Sequence, residues 1–335
     1  MGFLTEGTES AADGLAAAIF PPGHQDRLGL WMEKSVAPAR VARPGQQFSV
    51  SSALPVRKSL AVGAIRNESR RLAIALTALI SVACSSGRPS APSPKELQLF
   101  LLAGQSNMAG RGVVEAQDRV ADPRVVMLDR TLHWVPATDP VHYDKPIAGV
   151  GPGRSFALAI VARDPHARVG LIPAAVGGSP ISSWEPGALD PATKTHPYDD
   201  ALTRARAAMR DGRLRGILWH QGESDAHPGS SERYAEKLRA LIARFRADLH
   251  APDLPFIIGA LGQFSGRPWD ADVRRIDSVH RAIAATVPDV AYVSSDGLRD
   301  KGDTLHFDAA SQRTFGERYA RAYLALMSAR RAPAP

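Results

Sequence analysis

The chain has 335 residues, of which 44% are hydrophobic and 22% charged, as is usual for a globular protein. Its formal net charge is +7, but the basic residues do not form a stripe with interleaved aromatic residues, which argues against nucleic acid as a partner. The single cysteine, Cys84, excludes a disulfide framework within the chain and a zinc site built from cysteines.

The first 95 residues differ in character from the rest of the chain. Residues 1–65 have weak periodicity and many small residues, and we interpret them as a disordered extension or as sequence upstream of the natural translation start. Residues 66–84 resemble a lipoprotein signal peptide, with a basic flank, a short apolar run and Cys84 as the residue that would carry the lipid. Ser81 departs from this pattern, because an aliphatic residue is usual there, and a short buried helix is the alternative. Residues 85–95 are typical of a flexible linker. This pattern predicts a secreted or periplasmic protein, anchored to the membrane if Cys84 is lipidated.

From residue 96 onward, short apolar runs alternate with longer amphipathic segments. The predicted strands lie near Gln98–Ala103, Val125–Leu128, Val169–Ala174, Gly216–His220, Pro255–Leu261 and Val290–Ser294. The predicted helices lie near Ser155–Arg163, Asp199–Arg210, Ser231–Leu249, Asp270–Thr286 and Ala309–Ala329. This alternation predicts an α/β fold with a mostly parallel sheet that is covered on both faces. Glycine-rich motifs that cradle phosphates are missing from the sequence, which disfavours a nucleotide-dependent enzyme.

The polar residues that carry chemistry lie in four loops, most of them directly after predicted strands. These loops are 104–107, 175–179, 220–225 and 303–306, and they contain a serine, a glycine pair, an amide side chain and an Asp/His pair. Each piece alone also fits a turn or a helix cap. Together they supply a hydroxyl nucleophile, a histidine base, an orienting carboxylate and N–H donors, which acyl transfer requires.

Four short motifs in this order resemble the conserved blocks of the SGNH hydrolase superfamily. They are Gly104-Gln105-Ser106-Asn107-Met108, Gly177-Gly178-Ser179, Trp219-His220-Gln221-Gly222-Glu223-Ser224 and Asp303-Thr304-Leu305-His306. The variant with GQSN and HQGE is similar to the sialate O-acetylesterase domain group, also called carbohydrate esterase family 6, which includes acetyl xylan esterases. The resemblance covers residues 96–328. It implies a three-layer α/β/α, flavodoxin-like fold over residues 96–330 and ester hydrolysis without a metal or other cofactor.

The resemblance also implies roles for individual residues. Ser106 would be the nucleophile, His306 the general base and Asp303 the carboxylate that orients the histidine. The oxyanion hole would consist of the Ser106 and Gly178 N–H groups and the Gln221 side-chain amide. Glu223 would be a second catalytic carboxylate beside His306, and a structural carboxylate that holds its loop is an equal alternative.

Four further residues are predicted to contact the substrate: Gln105, Asn107, Arg111 and Trp184. An indole face such as that of Trp184 suits a sugar ring. The acidic and histidine side chains around Glu223 have a spacing that fits no familiar metal motif, so we expect no metal there.

The leading hypothesis is a serine esterase that removes acetyl groups from carbohydrates such as acetylated xylan or acetylated sialic acid. The alternatives are a general short-chain carboxylesterase and a carbohydrate-binding protein that has lost catalysis.

Overall fold

The computed structural model describes residues 96–331, so the predictions for residues 1–65, 66–84 and 85–95 lie outside the described residues. Within residues 96–331, seven strands form one sheet: β1 Leu97–Gly104, β2 Val125–Leu128, β3 Trp134–Pro136, β4 Val169–Pro173, β5 Gly212–His220, β6 Phe256–Gly259 and β7 Val290–Val293. The same part of the chain contains six α-helices: α1 Ser106–Ala109, α2 Pro152–Arg163, α3 Pro197–Ala208, α4 Tyr234–Asp248, α5 Ala271–Thr286 and α6 Ala309–Ala329.

The strand order is β3-β2-β4-β1-β5-β6-β7, and every pairing is parallel except that between β2 and β3. β1 therefore lies in the middle, with β4 on one side and β5 on the other. In an open parallel sheet, ligands bind outside the carboxyl ends of the strands, where the chain switches sides. The loops after β1, β4 and β5 meet at this position.

The continuous apolar run of β1 reflects its burial on both faces. Because successive strand side chains point to opposite faces, Leu99 and Leu101 contribute to one core, whereas Phe100 and Leu102 contribute to the other. All four are fully buried. Fully burying a side chain of this size stabilises a fold by about 1.5–3 kcal/mol relative to exposure.

The helices form two layers around the sheet. On one face, α3, α4 and α5 contribute side chains such as Tyr198, Leu238 and Ile276 to the first core. On the other face, α2 and α6 pack against each other and contribute Phe156 and Phe315 to the second core. The arrangement confirms the predicted three-layer α/β/α fold with a mostly parallel sheet.

All six predicted strands and all five predicted helices are present, with bounds that differ by a few residues. The sequence analysis missed β3, which pairs antiparallel to β2, and α1 at Ser106–Ala109. Both elements are too short for a hydrophobic period to show in the sequence. Among the helices of residues 96–331, none has the length and apolar character needed to cross a membrane.

Candidate active site

The sharp turn after β1 exposes Ser106. Gly104 has φ +125°, and a Cβ at this position would lie 2.1 Å from the carbonyl oxygen of His220 in the adjacent β5. Only glycine tolerates this backbone angle and this close approach. Ser106 then begins the four-residue helix α1, and the first N–H groups of a helix have no acceptor within it. The turn therefore presents both the hydroxyl and the backbone N–H of Ser106.

His306 and Asp303 continue from this hydroxyl as a chain of hydrogen bonds. The Nε2 atom of His306 lies 3.0 Å from Ser106 Oγ, and its Nδ1 atom lies 2.7 Å from Asp303 Oδ2. The other carboxylate oxygen, Asp303 Oδ1, accepts hydrogen bonds from the backbone N–H groups of Leu305 at 3.1 Å and His306 at 2.8 Å. One carboxylate thus fixes both the imidazole ring and the backbone that carries it.

The surroundings of Asp303 keep it ionised. Burial raises the pKa of this carboxyl, but hydrogen bonds from the backbone and ring of His306, from Leu305 and from Lys301 outweigh burial and hold the pKa well below its usual range. The Lys301 ammonium lies 3.1 Å from Asp303 Oδ2. A permanently charged carboxylate at Nδ1 is what stabilises an imidazolium that forms during catalysis.

The turn between Asp303 and His306 contains Thr304 with φ +56°, an unusual conformation for a β-branched residue. Its N–H donates a 2.7 Å hydrogen bond to Asp300 Oδ2, which holds the turn in place. Such strained backbone persists where surrounding contacts over-determine it, and it is often found at functional sites.

The loop after β4 brings the second expected oxyanion donor to the site. Gly178 has φ +84°, and its N–H has no acceptor within the part of the chain that the structure describes. The preceding Gly177 N–H donates to Asp144 Oδ2 at 2.8 Å, and the same oxygen accepts from Arg111 Nη2 at 2.7 Å. A Cβ on Gly177 would lie 2.2 Å from that guanidinium nitrogen. This buried ion pair therefore supports the glycine loop from behind.

The four residues predicted to contact the substrate are buried and have partners within the fold. Arg111 pairs with Asp144, and both side chains are 3% exposed. Gln105 Oε1 accepts a hydrogen bond from the Ser224 N–H at 3.2 Å. Asn107 is 1% exposed. Trp184 is fully buried and packs edge-on against Trp219, with ring centroids 5.1 Å apart. These contacts hold the loops around Ser106 together, and a substrate contact by Gln105, Asn107, Arg111 or Trp184 stays a prediction.

Gln221 also lies behind the site. Its Nε2 atom is 2.6 Å from Asp225 Oδ2 and 3.2 Å from both Gln105 Oε1 and the Ser179 carbonyl oxygen. Its Oε1 accepts from the Tyr234 hydroxyl at 2.9 Å. The side chain is fully buried and its N–H groups have partners within the fold, and its role as an oxyanion donor stays a prediction. Backbone N–H groups remain as the donors that the geometry offers.

Glu223 does not contact His306, contrary to the prediction that it is a second carboxylate on the ring. Its Oε1 accepts from Asn107 Nδ2 at 2.6 Å and lies 3.2 Å from His220 Nε2. Burial raises the pKa of Glu223, but the nearby His220 and the hydrogen bonds from His220 and Asn107 hold it below its usual value. The structural alternative for Glu223 agrees with this geometry.

The sequence analysis missed Trp269. This half-buried side chain lines a cavity of about 30 Å³ together with Thr304 and Leu305 of the histidine loop. A cavity of this size holds one or two water molecules rather than a sugar. Trp269 lies in a Gly- and Pro-rich segment after β6, and this position was the sequence feature that could have drawn attention to it. Residues 96–331 contain no group of three or more His, Cys, Asp or Glu side chains arranged to hold a metal ion.

A serine at the carboxyl edge of a mostly parallel sheet, within three α/β/α layers, is the arrangement expected of an SGNH-type hydrolase. The sequence profile of the family described as carbohydrate esterase, sialic acid-specific acetylesterase matches residues 96–325. A relative from Arabidopsis thaliana, named "Probable carbohydrate esterase At4g34215", is 33% identical over 267 residues, which cover 73% of this chain and 97% of the relative. The chain therefore belongs to this family of carbohydrate O-acetylesterases.

Solved structures support the same fold. The crystal structure of the Arabidopsis protein matches with a TM-score of 0.61 at 31% identity, over 69% of this chain and 98% of that one. The crystal structure of NanS matches with a TM-score of 0.59 at 18% identity, over 71% and 99% of the two chains. XAC1771, a carbohydrate acetylesterase from Xanthomonas citri, matches with a TM-score of 0.54 at 19% identity, over 70% and 57%. At these lower identities, the last two matches show the fold alone.

Proposed function

We propose that this chain hydrolyses acetyl esters of carbohydrates, with Ser106 as nucleophile, His306 as general base and Asp303 as the orienting carboxylate. The observation that carries the proposal is the chain of contacts from Ser106 Oγ to His306 Nε2 at 3.0 Å and from His306 Nδ1 to Asp303 Oδ2 at 2.7 Å. Both distances allow direct proton transfer or a strong charge-assisted hydrogen bond.

In the first half of the reaction, Ser106 Oγ attacks the carbonyl carbon of the acetyl group while His306 Nε2 takes the hydroxyl proton. The negative charge that develops on the carbonyl oxygen is stabilised by the backbone N–H groups of Ser106 and Gly178, which have no competing acceptor within the described residues. The intermediate collapses, the bond between the carbonyl carbon and the sugar oxygen breaks, and His306 returns the proton to that oxygen. The products are the deacetylated sugar and an acetyl ester on Ser106.

In the second half, His306 Nε2 takes a proton from a water molecule as the water attacks the acetyl-serine. Collapse of this intermediate releases acetate and returns the proton to Ser106 Oγ. Asp303 stays ionised throughout and stabilises the positively charged imidazole in both halves.

The proposed substrates are acetylated sugars of the sialic acid or xylan type. Support comes from the description of the family and from the name of the Arabidopsis relative, a carbohydrate esterase. The cavity beside Trp269 is too small to hold a sugar ring.

Acetate release tests this proposal. The chain is assayed with p-nitrophenyl acetate, acetylated xylan, O-acetylated sialic acid and esters of longer acids. We expect preference for the acetylated sugars, and a Ser106→Ala variant should lose activity by about a million-fold. The matched control is Ser265→Ala, which changes an exposed serine in the loop after β6. More than a few per cent of wild-type kcat in Ser106→Ala would refute the nucleophile, and equal rates on longer acyl esters would favour a general carboxylesterase.

We also propose that residues 66–84 direct export and that Cys84 carries a lipid. The sequence pattern supports this proposal. Metabolic labelling with radioactive palmitate tests it: the wild-type protein should be labelled, and a Cys84→Ser variant should not. Equal labelling of both proteins would overturn the assignment.

A further inference from the structure

The side chain of Asn107 joins the nucleophile helix to both sides of the general base. Asn107 Nδ2 donates to the carbonyl oxygen of Leu305 at 3.1 Å, and the N–H of Phe307 donates to Asn107 Oδ1 at 3.2 Å. Leu305 and Phe307 are the neighbours of His306 in the chain. One amide side chain, on the residue directly after Ser106, therefore forms hydrogen bonds with the two backbone groups that flank the histidine.

The direction of this amide is fixed by its partners. The oxygen faces an N–H group, whereas the nitrogen faces a carbonyl oxygen and the Glu223 carboxylate, whose Oε1 lies 2.6 Å away. An ionised carboxylate only accepts hydrogen bonds, so a flipped Asn107 would place oxygen against oxygen and nitrogen against N–H. Hydrogen bonds with a charged partner are about twice as strong as neutral ones, so Glu223 is the strongest of the three partners that set this direction.

We infer that Asn107 is a positioning residue for the general base, and that Glu223 acts through Asn107 by fixing the direction of its amide. This inference rests on the proposed function, in which His306 takes the proton of Ser106. Asn107 does not face the substrate, because it is 1% exposed. Its contribution is to hold His306 Nε2 at 3.0 Å from Ser106 Oγ.

The magnitude follows from how strictly proton transfer depends on geometry. Catalytic groups work within about 0.5 Å of their productive position, and a misplacement of 1 Å can reduce the rate about a hundred-fold. Asn107→Ala removes all three side-chain hydrogen bonds and leaves the partly buried Leu305 carbonyl and the buried Phe307 N–H without this partner. We expect kcat to fall about a hundred-fold, with KM for p-nitrophenyl acetate within threefold of wild type.

A neighbouring hydrogen bond provides a control that distinguishes a positioning role of Asn107 from a purely structural one. Gln312 in α6 donates from Nε2 to the backbone carbonyl oxygen of Asn107 at 3.0 Å. This bond does not involve the Asn107 side chain and survives its substitution. Gln312→Ala is therefore the matched control: it should lower the melting temperature and leave kcat within threefold of wild type.

The decisive experiment exchanges the amide and the carboxylate. Asn107→Asp still accepts from Phe307, but it places a second carboxylate against Glu223, so kcat should fall about a hundred-fold. Acidification protonates one of the two carboxylates and restores a donor, so the ratio of Asn107→Asp to wild-type kcat should rise as the pH falls from 8 to 5. In the double variant Asn107→Asp/Glu223→Gln, the new amide at position 223 donates to the carboxylate at position 107. Its kcat should therefore be about ten-fold higher than that of Asn107→Asp.

Rates are compared per folded molecule, with circular dichroism as the measure of folding. A normalised kcat for Asn107→Ala within threefold of wild type would overturn the inference. If Asn107→Ala does not fold, the exchange decides: a double variant no more active than Asn107→Asp, with a pH-independent ratio, would also overturn it. If Ser106→Ala hydrolysed the substrate as fast as the wild type, the proposed function itself would fail. The two failures are therefore distinguishable.

Discussion

Replacing Asp303 by asparagine should lower kcat about ten-thousand-fold and leave the fold intact. The new side chain keeps an oxygen in the place of Oδ1, which accepts from the backbone N–H groups of Leu305 and His306. The change is confined to Oδ2, which lies 2.7 Å from His306 Nδ1 and becomes an NH₂ group. Nδ1 must then be unprotonated, so the ring carries its proton on Nε2.

A ring protonated at Nε2 faces Ser106 Oγ with a donor and cannot take the hydroxyl proton. The corresponding change in a serine protease lowers kcat about 10⁴-fold. At about 1.36 kcal/mol for each factor of ten, the loss is about 5.5 kcal/mol of transition-state stabilisation. The expected loss is large because Asp303 is the carboxylate in contact with the His306 ring in residues 96–331.

Steady-state kinetics with p-nitrophenyl acetate measures this loss, and Glu223→Gln is the matched control. Glutamine keeps an acceptor for Asn107 Nδ2, so Glu223→Gln should lower kcat by less than ten-fold. If Glu223→Gln lost more activity than Asp303→Asn, or if Asp303→Asn retained more than 1% of wild-type kcat, the assignment of Asp303 as the partner of His306 would be refuted.

Three further changes test other parts of the site and fold. His306→Ala should cost about as much as Ser106→Ala, about a million-fold, and the double variant should lose little more, as single-turnover rates would show. Gly177→Ala would place a Cβ 2.2 Å from Arg111 Nη2. We therefore expect the free energy of unfolding, measured with denaturant, to fall by about 1–3 kcal/mol, together with a lower kcat. Burial raises the pKa of Asp139 to about 7, so the folded state holds a proton that the unfolded chain lacks between about pH 4 and 7, and stability falls as the pH rises through this window. Asp139→Asn should therefore be more stable than wild type above pH 7, by up to about 4 kcal/mol, and similar near pH 4; thermal melts at both pH values check this, and an equal difference at both would contradict it.

The sequence was sufficient to predict the sheet and the proximity of Ser106, Asp303 and His306 at its edge. β1 is buried on both faces, so its apolar run stands out, and the polar residues that follow it interrupt that run. In a parallel sheet such loops meet at one edge, which is why Ser106 and the loop after β4 could be placed together without a structure. The pairing of Asp303 with His306 spans three residues within one turn, so local spacing was enough to predict it.

The burial of side chains such as Trp184 could not be predicted in the same way, because burial depends on partners that are distant in the sequence. Trp184 follows a glycine-rich loop and has the local appearance of an exposed aromatic residue. Its burial is set by Trp219 in β5 and by the Ser179 hydroxyl, to which its Nε1 donates at 3.0 Å. Likewise, Glu223 and Asn107 lie 116 residues apart in the chain, and no local pattern indicates that they are hydrogen bonded.

The residues of the GQSN motif around Ser106 each hold the nucleophile turn in a different way. Gly104 permits β1 and β5 to approach closely, and Gln105 ties the nucleophile turn to the loop after β5 through the Ser224 N–H. Asn107 ties the same turn to the backbone on both sides of His306. Three of the four positions thus hold loops from separate strands against Ser106, the proposed nucleophile.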